Sequence, residues 1–290
     1  MYTVVTHDGK FHSDEIFGVA VLQLRFGEEN LKIVRTRQME LIQKADIVLD
    51  VGGEYDPEHL RFDHHQNGAP VREQGIPYAA FGLVWKEFGE AITGSKEIAD
   101  KIDERLAQPI DAGDNGVTLY SLNEHKVAPV ELSSILESFM PPMGSDRNQD
   151  EAFMEAVIVA RNYLVRVIEL RVVKQALKEE AKRVYKESEK KTVLVFETPM
   201  KRDVLQDYAE VKVIVTPSDA ERTKWSALVV PVEGEAFISR AYFPEAWAGL
   251  RDEELALVSG IQGAIFCHKG RFIFVAKSQE GAVAAAKQAR

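Results

Sequence analysis

Five of the seven histidines fall within the first 65 residues, close to aspartates. His7, His12 and Asp14 lie in HDGKFHSDE, Asp50 in VLDVGG, and Asp63, His64 and His65 form DHH; Asp111 and Asp114 follow in IDAGDNG. Imidazole and carboxylate donors without sulfur suit manganese, iron or zinc, with cobalt binding in vitro. Five or more such donors exceed the needs of one ion and suffice for two bridged by a shared aspartate. Cys267 is the single cysteine, so an internal disulfide and a thiolate cage for zinc are both excluded. Each fragment alone has a plainer explanation. Asp8–Gly9 is a common turn pair, and Asp14 and Glu15 complement a helix dipole. The combination of four clusters, each at the end of an element, favours metal.

The elements that must position these groups alternate. Tyr2–Thr6 is a short β-branched run read as a buried strand. Ser13 caps a helix running to about Phe26, with Gly27 at its stop. Leu31–Arg37 and Asp46–Val51 read as strands around a short helix near Glu40–Ala45, and helices resume over Tyr78–Ile92 and Lys96–Pro109. This rhythm argues for an α/β fold with an N-terminal parallel sheet flanked by helices. Ligands of such sheets bind beyond the carboxyl ends of the strands, so His7 and Asp50 are expected to converge. Gly52 and Gly53 permit close backbone approach beside Asp50.

From Glu151 to about Glu189 there is neither Gly nor Pro, and apolar residues recur every three or four positions from Phe153 to Val184. That spacing predicts one long amphipathic helix serving as a core or homodimer seam. Beyond it, strands are expected at Thr192–Glu197, Val211–Pro217, Trp225–Pro231, Ala264–His268 and Arg271–Ala276, with a closing helix over Glu280–Gln288. The expected organisation is an α/β metal-binding domain (1–145), a long connecting helix (146–190) and a smaller mixed α+β domain (191–290).

The 290 residues carry a net charge of −10 and 45% hydrophobic residues, which excludes wholesale disorder. No apolar run approaches the roughly 18 residues of a membrane span, and the charged N-terminus does not read as a secretory signal. A soluble, cytoplasmic protein with no membrane partner is expected. Residues 1–145 hold 13 Lys and Arg against 24 Asp and Glu, while residues 146–290 hold 23 against 22. An acidic half suits bound divalent cations and disfavours a long nucleic-acid duplex, which is held mainly by basic side chains.

HDGKFHSDE, VLDVGG, DHHQ and DAGDNG, in that order, resemble the four motifs of the DHH phosphoesterase superfamily, and most closely its melanocyte-proliferating-gene nuclease branch. FPEAWAGLRDEELALVSGIQGAIFCHKGRFIF is also similar to that branch, and the resemblance covers almost the whole chain. His12 stands where the broader superfamily has aspartate, with one more residue before it; the narrower branch shares this feature.

The resemblance implies that His7, His12 and Asp50 hold one metal. Asp14, Asp50 and His64 would hold a second, completed by Asp111 or Asp114, with Asp50 bridging. Asp63 would orient a ligating imidazole through its other nitrogen, and His65 would face the scissile phosphate. The implied reaction is two-metal hydrolysis of a phosphodiester, with manganese expected and magnesium, cobalt or zinc as alternatives. The implied substrate is short RNA or an oligonucleotide, cleaved 3′ to 5′. An inorganic pyrophosphatase uses the same motifs, and a metal-dependent nucleotide-binding protein without turnover is the other alternative. In DHH enzymes the smaller domain closes over the metals; that role would fall to His268 and Arg271 around Gly270, with Lys269 beside them and Arg240 on another strand. Trp225, Trp247 and Tyr242 are expected in packing rather than base stacking, and Cys267 as a buried, non-catalytic thiol.

Overall fold

Val4 and Val5, both fully buried, lie in β1 (Tyr2–Thr6) near the middle of a five-stranded sheet. This computed structural model describes residues 1–232, 234 and 238–290. Strand β1 pairs in parallel with β2 (Leu31–Arg35) and with β3 (Ile47–Leu49). A hairpin then adds β4 (Tyr55–Asp56) and β5 (Arg61–Phe62), giving the order β2-β1-β3-β5-β4 with only β4 antiparallel. The sheet is therefore mixed rather than purely parallel. Two-residue strands are too short to show the alternation by which a sequence reveals them.

Helix α1 (Ser13–Phe26) is buried at every position from Ser13 to Gln23, because it packs between the sheet and α3 (Ala80–Thr93). Phe17 and Phe81 stack at 4.8 Å in that contact. The short α2 (Met39–Lys44) precedes β3. Helices α4 (Lys96–Ile102) and α5 (Gln108–Asp114) are joined by a π-helical turn, Asp103–Ala107, and so extend past the expected end at Pro109. Pro109 supplies the cause: it has no N–H for the carbonyl of Arg105, and its ring crowds that carbonyl. Helix α6 (Leu132–Glu137) follows, and then the 39-residue α7 (Gln149–Glu187).

The chain divides into two compact units, Met1–Val172 and Val173–Arg290. The second unit holds β6 (Val193–Val195), β7 (Val213–Pro217), β8 (Trp225–Val229), α8 (Asp252–Ser259), β9 (Ala264–Cys267), β10 (Ile273–Ala276) and α9 (Gln279–Ala286). Its sheet runs β6-β7-β8-β10-β9, with β6 and β7 parallel and the other pairs antiparallel. Trp225, Phe243, Trp247, Phe274 and Cys267 fill its core. Among the described residues no helix is long and apolar enough to cross a membrane.

Candidate metal centre

Strand β1 ends at Thr6 and β3 at Leu49, so His7 and Asp50 leave the same edge of the sheet. Asp50 takes the left-handed region at φ 55, uncommon for a residue with a side chain but tolerated by aspartate. Its amide donates to Phe62 O at 3.1 Å, which fixes the turn. The N-cap of α1 is His12, one residue before the expected Ser13. The His12 amide donates to Glu15 Oε1 at 2.8 Å, and Ser13 Oγ instead meets Ser133 Oγ at 2.8 Å.

These elements bring the ligand-type side chains together around Asp50. His7 Nε2 lies 3.1 Å from Asp50 Oδ2 and 3.1 Å from Glu15 Oε1. His64 Nε2 lies 3.2 Å from Asp50 Oδ1, 3.3 Å from Asp114 Oδ2 and 3.8 Å from Asp14 Oδ2. Asp50 thus offers one oxygen to each histidine. His12 joins two groups of donors within 4.8 Å of one another, one with His7 and Glu15 and one with Asp14 and Asp114. Glu15 is the member that sequence reasoning missed. Its signal was its place three residues after His12, where a capping-box glutamate reaches back to the N-cap amide.

The donor set fits divalent cations. Asp14 Oδ1 and Glu15 Oε2 are buried without a hydrogen-bond partner, a state that costs free energy unless something coordinates them. Burial pushes the Asp14 carboxyl well above the usual carboxylate range, and the nearby Asp50, Glu15 and Asp114 push it further. Burial would also raise Asp50, but hydrogen bonds from His64 and His7 outweigh it and hold the group at about 2. Burial would lower His7, yet its bonds to Asp50 and Glu15 raise it to about 10. The cluster concentrates negative charge that positive charge must offset.

Asp63 serves a different imidazole from the one expected. It accepts from Gly53 N at 2.5 Å, His64 N at 2.8 Å and His65 N at 3.2 Å, and its Oδ1 lies 2.7 Å from His65 Nδ1. The positive φ of Gly53, 73°, turns its amide toward that carboxylate. Asp63 therefore orients His65, not the buried His64. The His65 side chain keeps 62% of its surface exposed, and the Asp63 bond raises its pKa.

Asp111 and Asp114 part company on α5. Asp114 reaches His64, whereas Asp111 is fully buried on the other side with Oδ2 at 2.8 Å from the Arg72 guanidinium. Asp111 Oδ1 also accepts from Gly82 N at 3.0 Å, and burial raises its carboxyl to about 7 against the pull of Arg72. Arg72 further binds Asp103 at 2.7 Å and lies 3.8 Å above the Tyr78 ring, so it ties the π-turn and α5 to the segment that leads into α3. A methyl group on Gly82 would sit 1.8 Å from Asp111 Oδ2 and 2.6 Å from an Arg72 nitrogen. Gly82→Ala is accordingly expected to lower stability by about 2–3 kcal/mol, the overpacking range, read as a shift of the urea midpoint. An unchanged midpoint would mean that this ion pair does not anchor α5.

In the second unit, His268 Nδ1 accepts from Gly270 N at 2.9 Å, and its ring lies 4.3 Å from that of Phe272. Arg271, at φ 57, reaches Phe243 O at 3.4 Å and lies over the Tyr242 ring at 5.3 Å. Arg240 donates to the carbonyls of Val211 at 3.0 Å, Tyr208 and Gln206, so its guanidinium is occupied by backbone. Trp225 and Trp247 are buried in the core, and Tyr242 is only partly buried. Burial pushes the Cys267 thiol up to about 11, far from the thiolate that a nucleophile needs.

A cleft of about 890 Å³ opens over the centre in the first unit, with His7, Asp50, His65 and Asp114 in its lining and Arg37 and Arg105 contributing cations. A family model labelled MYG1 exonuclease, described as an uncharacterised protein family (UPF0160), matches residues 3–289. The chain is 33% identical to the MYG1 exonuclease of Mus musculus, an alignment covering 96% of this chain and 82% of that protein. It is 31% identical to the MYG1 exonuclease of Homo sapiens, over 97% of this chain and 84% of that one. Identity to the MYG1 protein of Chlamydia trachomatis serovar D is 32%, over 96% and 93% of the two chains. No solved structure matches.

Proposed function

The chain belongs to the MYG1 exonuclease family, and from that membership we propose that it is a divalent-metal-dependent phosphoesterase of the DHH superfamily, a 3′–5′ exonuclease on short RNA or oligonucleotides. The observation that carries the reading is Asp50, buried between His7 and His64 with unpartnered donor atoms around it. His7, His12 and Asp50, with Glu15, would hold one ion. Asp14, Asp50, His64 and Asp114 would hold the other, while Asp111 stays with Arg72. Manganese is the metal we favour for this imidazole and carboxylate set.

Ions bound there would supply hydroxide near neutral pH and offset negative charge on the phosphoryl oxygens. The chain's own groups do the rest. His65 faces the cleft with Nδ1 held by Asp63, so a proton on Nε2 is aimed outward, where a phosphate oxygen can accept it. The Asp63 bond raises the His65 pKa and so favours the protonated ring. The Asp14 carboxylate is itself fixed by the Ala80 amide at 3.3 Å, which ties the ligand set to the start of α3.

Hydrolysis of bis-p-nitrophenyl phosphate is expected to stop on chelation with EDTA and to return with manganese. A panel of pyrophosphate, a dinucleotide and short single-stranded RNA sorts the alternatives. Turnover of pyrophosphate alone would replace the nuclease reading, and nucleotide binding without any turnover would replace the enzymatic one.

A further inference from the structure

The cleft over the metal centre has a wall that metal chemistry alone does not need. Leu106 and Ile110, from the π-turn and α5, face the same cavity as Val117, Leu119 and Tyr120. The last three stand on the stretch between α5 and α6, where they keep 41%, 48% and 40% of their surface exposed. That stretch is pinned at both ends: Val117 N donates to Ala112 O at 2.8 Å, and Ser133 bonds Ser13 at the start of α1. A ring and aliphatic side chains gathered along one wall of a cleft beside a buried charge cluster mark a groove that can take an apolar part of a ligand. Arg105, in the π-turn, lines the same cavity with 70% of its side chain exposed and meets the adjacent Glu104 through Nε at 3.3 Å.

We propose that Tyr120 and Arg105 form a nucleoside subsite beside the metal centre: Tyr120 stacks on the base of the terminal nucleotide while Arg105 pairs with a backbone phosphate. This rests on the phosphodiester reading above and narrows it to single-stranded ends. A base must leave its partner strand to reach Tyr120 inside the cleft, which favours an unpaired end, and stacking tolerates any base because every base has a π-face. The guanidinium adds a bidentate contact to phosphate oxygens. Inorganic pyrophosphate has nothing to place on the apolar wall. The subsite therefore also separates nucleotide substrates from small inorganic ones.

The test compares short RNA carrying a 3′-terminal base with the same RNA ending in an abasic residue, on wild type, Tyr120→Phe, Tyr120→Ala and Arg105→Met. Tyr120→Ala is expected to raise KM about tenfold, the loss of one stacking contact, on the base-bearing RNA only, with kcat within twofold. Tyr120→Phe retains the ring and should behave as wild type. Arg105→Met should raise KM on both RNAs and flatten the dependence on salt. A second readout is independent of turnover: 2-aminopurine at the 3′ end should be quenched on binding to wild type in calcium, and not by Tyr120→Ala. Manganese stoichiometry should be the same in all four proteins. Equal KM for wild type and Tyr120→Ala on base-bearing RNA, with quenching retained, overturns the subsite while leaving the nuclease reading intact. A wild type that hydrolyses no phosphodiester and quenches no 2-aminopurine overturns both.

Discussion

Asp50→Ala is expected to cut kcat/KM on a phosphodiester by about 10³-fold or more, equivalent to at least ~4 kcal/mol of transition-state stabilisation. Asp50 is the one carboxylate that touches both His7 and His64, so its removal takes a ligand from each half of the centre. Bound manganese should fall below two ions per chain. The fold should persist, because Asp50 sits past the end of β3 and contributes no apolar packing. Alanine is strained at the φ of 55° that Asp50 adopts, which destabilises the variant, and two opposed electrostatic effects act on the metal-free protein. Asp14 loses a like-charged neighbour, which favours the variant, while His7 and His64 lose an acceptor, which does not. The net change in unfolding free energy should stay within about 1 kcal/mol. Circular dichroism, metal analysis and steady-state kinetics check the three parts, and near-normal turnover with two bound ions would remove Asp50 from the bridging position.

Manganese should stabilise the protein strongly, and by more at high pH than at low. A ligand at 1,000 times its dissociation constant adds about 4 kcal/mol per site. The pH dependence originates in the metal-free state. With His7 raised to about 10, its contribution is fully present below the unfolded value near 6.5 and is lost as pH climbs toward 10. Asp14 is raised too, so its buried carboxylate increasingly penalises the fold once pH passes the ordinary carboxylate range. Metal-free stability therefore declines toward alkaline pH. Metal binding runs the other way, since imidazole must give up its proton before it can ligate. The gap in Tm between the manganese-loaded and EDTA-treated protein should widen from pH 5.5 to pH 8.5. Calorimetry in buffers of different ionisation enthalpy should also register proton release on binding at pH 7. An equal gap at both pH values would count against histidine ligation.

Local periodicity and residue chemistry were enough to place several parts of the molecule. The Tyr2–Thr6 run is a strand because its β-branched residues suit a buried sheet, and a strand's end dictates that His7 points out of its edge. Absence of Gly and Pro over nearly forty residues made α7 legible almost to its ends. Donor types without sulfur limited the chemistry to hard and borderline cations. Other roles depended on partners carried by distant elements, and these emerged only in the folded chain. The spacing in DAGDNG leaves Asp111 and Asp114 unresolved with only a slight preference for Asp114, and Arg72 and Gly82, 39 and 29 residues before Asp111, turn that aspartate into a core ion pair. Asp63 read as orienting a metal-ligating imidazole, whereas in the fold its Oδ1 meets His65 Nδ1 and its other oxygen takes the Gly53 amide. Glu15 read as a dipole partner until the fold carried His7 against it. Arg240 read as a free cation until three backbone carbonyls enclosed it. The reason is common to all four. A side chain's role is set by which partner satisfies its charge or hydrogen bonds, and in a sheet built from crossovers that partner is brought close by the chain's path rather than by its order.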